Sequence, residues 1–254
     1  MSVLRILPYV FYVVAVLFFF VPGETVGIVM AIGAVFAAMG FGHLAQKQET
    51  RKRRQALGDF AVERGLTFVA EGDAAYAGLP LAHTTKHKGK VLWVIRGRYL
   101  GRDIASFDHE YVVGSGKRRK VVQRTIAFVE FDSDLPGLSL DHWSDTVFMR
   151  LGERLGLVHD VKTSDIAFDK AFQVESQDEA FALQVLYPAM REWLLRVSRD
   201  WAFQVAGRYA ACLGPERQAI DVSRLPDLLE ACIQFERQIP SWVLSTPFRA
   251  TPSA

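Results

Sequence analysis

The stretch DIASFDHEYVVGSGKRRKVVQRTIAFVEF, residues 103–131, decides the fold class. Ala105, Phe107, His109, Tyr111 and Val113 alternate with Ser106, Asp108 and Glu110, the period-two pattern of a strand with one buried and one wet face. GSGKRRK then supplies a glycine-rich polar turn, and VVQRTIAFVEF returns as a more continuously apolar strand. The pair predicts a long antiparallel hairpin. Helical patterns on either side of it make the class α+β, with a mainly antiparallel sheet and packed helices.

Working outward, LTFVA and VLWVIRG before the hairpin are strand candidates. Beyond it, Ser144 is placed to cap a helix over TVFMRLGERLG that stops at Gly156, and a strand is expected from Ile166 to Val174. Ser176 and Glu179 have capping-box spacing ahead of Phe181, Leu183, Val185 and Leu186, so a helix begins there. Pro188 lacks the N–H that a helix interior needs, which predicts a break near Tyr187 and a second helical piece through Val197. WAFQVAGRYAACL reads as two short strands around Gly207 and Arg208. Leu225, Leu228, Leu229, Cys232, Phe235 and Ile239 form one apolar stripe, a helix docked on a sheet and ended by Pro240.

The amino-terminal fifth of the chain has a different character. VLRILPYVFYVVAVLFFFV, residues 3–21, carries Arg5 as its only charge, and VGIVMAIGAVFAAMGFGHL, residues 26–44, has no Asp, Glu, Lys or Arg. Because about 20 apolar residues cross a hydrocarbon core of about 30 Å, both qualify as transmembrane helices. Only Pro22, Gly23, Glu24 and Thr25 separate them, so the two helices form an antiparallel hairpin. Gly27, Ala31, Ala34, Ala38 and Gly42 would let their backbones approach. A cleaved signal peptide is not expected, since no small-x-small site follows the first apolar run.

Charge gives the orientation. Lys47, Arg51, Lys52, Arg53 and Arg54 against Glu49 leave +4 just after the second span, and basic flanks stay on the cytoplasmic side. Both termini are therefore expected in the cytosol of a cell whose inner, plasma membrane holds the hairpin. The organisation expected is a membrane hairpin over residues 1–45, a basic connector over 46–65, a cytosolic α+β domain over 66–245 and a disordered tail over 246–254. The connector's basic residues suit anionic head groups as well as topology.

Across all 254 residues the formal charge is +2, and Arg5 and Glu24 cancel, so residues 55–254 carry −2 and nucleic acid is not an expected partner. Half the residues are hydrophobic and 23% charged, which excludes a disordered or collagen-like chain. Cys212 and Cys232 are too few for a disulfide scaffold and lack CxxC spacing, which fits buried free thiols in a reducing compartment.

Chemistry-bearing motifs are sparse. His83 and His87 have the spacing of a helical metal pair, but Thr84, Thr85, Lys86, Lys88 and Gly89 read as an exposed loop. Asp108, His109 and Glu110 look like an acid–base cluster, yet strand alternation sends His109 to the face opposite both carboxylates, where it packs. His142 lies in an expected loop beside Asp141 and Asp145, with Ser139 near by and no G-x-S-x-G around it. Neither GRYLG nor GSGKRRK matches a phosphate-binding loop, so no cofactor is expected. There remain Lys117, Arg118, Arg119 and Lys120 on the hairpin tip, with Arg124 on the returning strand: a solvated turn, or a contact with anionic lipid or an acidic protein partner. The function expected is a non-catalytic binding or scaffolding module. The alternative is a membrane-bound hydrolase built around His142.

FDHEY at 107–111, AFDKAFQVESQDEAFALQVLYPAM at 167–190, and VAGRYAACL at 205–213 followed by a helix ending at Ile239-Pro240 occur here in one order. In that order of features the chain resembles a group of bacterial membrane-anchored proteins of unknown function. The resemblance implies a transmembrane hairpin preceding one cytosolic α+β domain, and it implies no catalytic residues.

Overall fold

A computed structural model describes residues 44, 47–72, 74–142, 159–197 and 200–245. The expected spans, apart from Leu44, the helix over 146–156 and the tail lie outside the described residues, and no described helix is long and apolar enough to cross a membrane. The chain divides into two compact units, 1–56 and 57–254. In the first, residues 47–56 are helical.

In the second unit, helix α1 covers residues 57–63 and runs through Gly58; Gly65, at φ +67, follows its end. Leu57, Phe60 and Ala61 are buried in the core. The elements then run β1 (Thr67–Val69), α2 (Ala74–Ala77), α3 (Ala82–Lys86), β2 (Gly89–Tyr99), β3 (Arg102–Val113), β4 (Lys120–His142), β5 (His159–Asp160), α4 (Ile166–Ala171), β6 (Phe172–Ser176), α5 (Glu179–Val185), α6 (Pro188–Arg196), β7 (Ala202–Leu213), α7 (Leu225–Gln238) and α8 (Ser241–Ser245). Among the described residues one seven-stranded sheet has the order β1-β2-β3-β4-β6-β5, with β7 also on β4, and every pairing is antiparallel. The class is α+β, and the 103–131 hairpin is its centre.

Both faces of the sheet are covered. On one, α7 presses Leu228, Leu229, Cys232, Ile233 and Phe235 onto Ala127, Val129, Phe203 and Cys212. On the other, Leu79 and Leu81 cover Val91, Phe107, Ile126, Phe128 and Leu213. Strand β3 is consequently buried on both sides from Ile104 to His109, and the wet face expected for Ser106 and Asp108 is absent because α7 packs there. Asp108 meets the cost of burial by accepting from Thr125 Oγ1 at 2.6 Å.

Strand β4 holds the geometry of the site. Its first half lies between β3 and β7, its second half between β6 and β7, and its register against β7 shifts between Glu130 and Leu138. Opposite the shift stands Gly207 at φ +56, a conformation that residues with a Cβ rarely adopt. WAFQVAGRYAACL is therefore one strand with an irregularity at Gly207, where the sequence suggested a hairpin.

Two further boundaries differ from expectation. Asp165 accepts from the N–H groups of Ala167 and Phe168 and so caps α4 over residues read as strand, leaving β6 to begin at Phe172. Helix α5 is capped by Asp178, which accepts from Phe181 N–H, while Ser176 Oγ donates to the Gly137 carbonyl. The Pro188 break falls as expected, with Tyr187 flanking α6 and proline in its first turn.

Candidate functional site

The densest collection of chemistry-bearing side chains lies on the sheet face covered by α3. Helix α3 is held in place by Leu81, buried in the core, and by Thr84 Oγ1, which donates back to the carbonyls of Leu79 and Leu81. Its packing puts His83, at 4% exposure, against β3 and β4, where the sequence suggested an exposed loop. His109 and Arg124 face each other in register across β3 and β4, at 0% and 4% exposure.

Hydrogen bonds and one ion pair close into a ring. Arg124 Nη1 lies 3.4 Å from His83 Nδ1, and Arg124 Nη2 lies 3.8 Å from Asp141 Oδ1. Ser139 Oγ donates to Asp141 Oδ2 at 3.1 Å, Gln204 Nε2 donates to Ser139 Oγ at 3.1 Å, and the His83 backbone N–H donates to Gln204 Oε1 at 3.2 Å. Arg124 Nε also donates to the Gly214 carbonyl at 2.7 Å. Arg124 and Asp141 belong to one strand, whose straight course at about 3.3 Å per residue would put them on the order of 50 Å apart. Their approach shows that β4 curls around the α3 side of the sheet.

The ring fixes the tautomers. Guanidinium can only donate, so His83 Nδ1 accepts and its proton sits on Nε2. That nitrogen is 3.2 Å from His109 Nδ1, which must then accept, leaving the His109 proton on Nε2. The His109 Nε2–H is buried without a partner among the described residues and lies beside Gly89, where a Cβ would come within 2.6 Å of it. Protonating either ring would turn an acceptor into a donor facing a donor. Burial first, then the Arg124 charge, lower the His83 pKa to about 2; burial and then His87 lower that of His109 to about 4. Half-buried His87 is also lowered, by burial and Lys86. Tyr111, whose ring centroid is 4.6 Å from that of His87, is raised by burial.

The other sequence candidates are placed as follows. Among the described residues no three or more His, Cys, Asp or Glu side chains are arranged to hold a metal ion. His142 ends β4 opposite Phe172, its ring centroid 4.0 Å from that ring, in place of the expected loop; Asp145 lies outside the described residues. Ser139, at 5% exposure, and Asp141 are engaged in the ring. Lys47, Arg51, Lys52 and Arg54 are exposed and Arg53 is half-buried. Residues 116–118 form a 3₁₀ turn at the hairpin tip, with Arg118, Arg119 and Lys120 exposed. Cys212 and Cys232 are free, and burial raises both thiols, Cys232 to about 12. Sequence reading missed the ring; the apolar pair Leu79 and Leu81 ahead of His83 was the available sign that this segment is anchored.

Fold and site together define an α+β body whose curled antiparallel sheet encloses a buried polar ring. No protein-family model matches the chain, and no curated protein matches it. Among solved structures the chain is similar to the crystal structure of the mycobacterial trehalose monomycolate transport factor A, at TM-score 0.56 and 10% identity over 78% of this chain and 99% of that one. That likeness is one of fold.

Proposed function

We propose that the chain is an integral protein of the inner membrane, anchored by residues 3–21 and 26–44, whose cytosolic body is a non-catalytic binding or scaffolding module. The observation that carries the non-catalytic reading is the ring itself. His83, His109, Arg124 and Ser139 are each at most 5% exposed and bonded to neighbouring groups, so they lock α3 to β4 and β7 and present nothing to a substrate. Two apolar spans, with Arg5 as their only charge, followed by Lys47, Arg51, Lys52, Arg53 and Arg54 support the anchor and its orientation. The solved neighbour that shares the fold is described as a transport factor. The rival reading, a hydrolase using His142, has Asp141 already held by Arg124 and Ser139.

The test is a hydrolase panel on the purified full chain beside His142→Ala, together with site-specific cross-linking from the body in native membranes. The proposal expects no turnover that depends on His142 and one reproducible cross-linked partner. Turnover abolished by His142→Ala would replace the binding module with the enzyme.

A further inference from the structure

The end of the β3–β4 hairpin extends past its neighbours. Strand β2 ends with Gly89 opposite Tyr111 and β7 ends with Leu213 opposite Ile126, so among the described residues the strand segments Val112–Val113 and Lys120–Val121 pair only with each other. In this projection Val112 and Val121 stand directly opposite on one face, 38% and 62% exposed. Exposed Arg118, Arg119 and Lys120 follow at the tip, with Lys117 adjacent in sequence. On that face Glu110 accepts from Gln123 Nε2 at 3.2 Å, two rungs further into the sheet.

We propose that this projection is a second membrane contact, an anionic-bilayer wedge in which the cations bind lipid phosphates while Val112 and Val121 enter the interface. A solvated turn accounts for the cations, and a cross-strand valine pair strengthens the hairpin, but together they also leave an apolar surface beside a cationic tip. An anionic bilayer matches both, offering negative charge at the surface and an apolar layer beneath it. The proposal rests on the anchored arrangement above, because a connector of about twenty residues, about 30 Å if helical, keeps the body at high effective concentration near the bilayer. The contact would orient the body and so set which surface its partner meets.

The test uses the full chain carrying Ser115→Cys labelled with a polarity-sensitive fluorophore; Cys212 and Cys232, both fully buried, do not compete for the label. The chain is reconstituted into nanodiscs of phosphatidylcholine alone or with phosphatidylglycerol. A blue-shifted emission, quenched by spin-labelled lipid only in the anionic discs and reversed by high salt, is expected. Changing Lys117, Arg118, Arg119 and Lys120 to Ser should weaken this on the order of a hundredfold or more. Val112→Ser with Val121→Ser should keep the salt-sensitive approach and lose the lipid quenching. Equal emission in both disc types, or quenching unchanged in the four-residue variant, overturns the proposal, as does a tip that cross-links to an acidic protein in native membranes yet ignores lipid. If carbonate extraction releases the chain from membranes, the anchor fails. The labelled chain then meets vesicles of the same two compositions, where an anionic-only shift upholds the wedge and no shift overturns it.

Discussion

Acidification from about pH 7 to about pH 5 is expected to destabilise the body through His83 and His109. Their folded values are about 2 and about 4, against 6.5 for an ordinary histidine. Because both lie below the unfolded value, the stabilisation is complete above about pH 6.5 and is lost as pH falls from there towards the folded values, the unfolded chain taking up protons that the ring refuses. Each group costs about 1.4 kcal/mol per pH unit inside that window. At about pH 5 each removes about 2 kcal/mol and the pair about 4 kcal/mol, a large part of a domain stability of about 5–15 kcal/mol. His87, also lowered, adds in the same direction; Lys86 and Arg124 oppose its protonation and Glu216 favours it. The assay is urea unfolding of the detergent-solubilised chain followed by tryptophan fluorescence across this range, for wild type and for His83→Gln with His109→Gln. Stability that stays flat to about pH 5, or a slope unchanged in the double variant, would show that these two histidines do not set the acid sensitivity.

Arg124→Met strips the partner from the Gly214 carbonyl, His83 Nδ1 and Asp141, and should cost about 2–4 kcal/mol in the same unfolding assay. It should also raise the His83 pKa, read by NMR titration. Gly89→Ala would bring a Cβ within 2.2 Å of the Glu110 carbonyl oxygen and 2.6 Å of His109 Nε2, so a loss of about 1–3 kcal/mol is expected, seen as a lower melting temperature. Asp178→Ala removes the cap on Phe181 N–H and should cost about 1 kcal/mol, checked by thermal unfolding. Cys212 and Cys232, both buried with raised thiol pKa values, should resist a thiol reagent until urea unfolds the chain.

What the sequence made legible was local. The alternation from Ala105 to Val113 and the turn chemistry of GSGKRRK lie within thirty residues, Pro188 acts through its own ring, and the Leu225 stripe repeats along one helix. What stayed hidden was set by distant partners. Ser106 and Asp108 alternate like solvent-facing residues until α7 covers them. Ile166 to Val174 has strand composition, and the Asp165 cap tipped its first half into helix. GRY resembles a turn, yet Gly207 at φ +56 keeps β7 a single strand. The ring joins His83 to Gln204, 121 positions apart, and depends on the curl of β4, which no local pattern encodes.

The membrane anchor is tested most directly by thiol accessibility in intact cells, with single cysteines at Glu24 and at Ser115, since the native thiols are buried. An impermeant reagent is expected to label Glu24→Cys in intact cells and Ser115→Cys only after the membrane is opened. Labelling of Ser115→Cys in intact cells, with Glu24→Cys reached only after disruption, would overturn the anchor and its orientation.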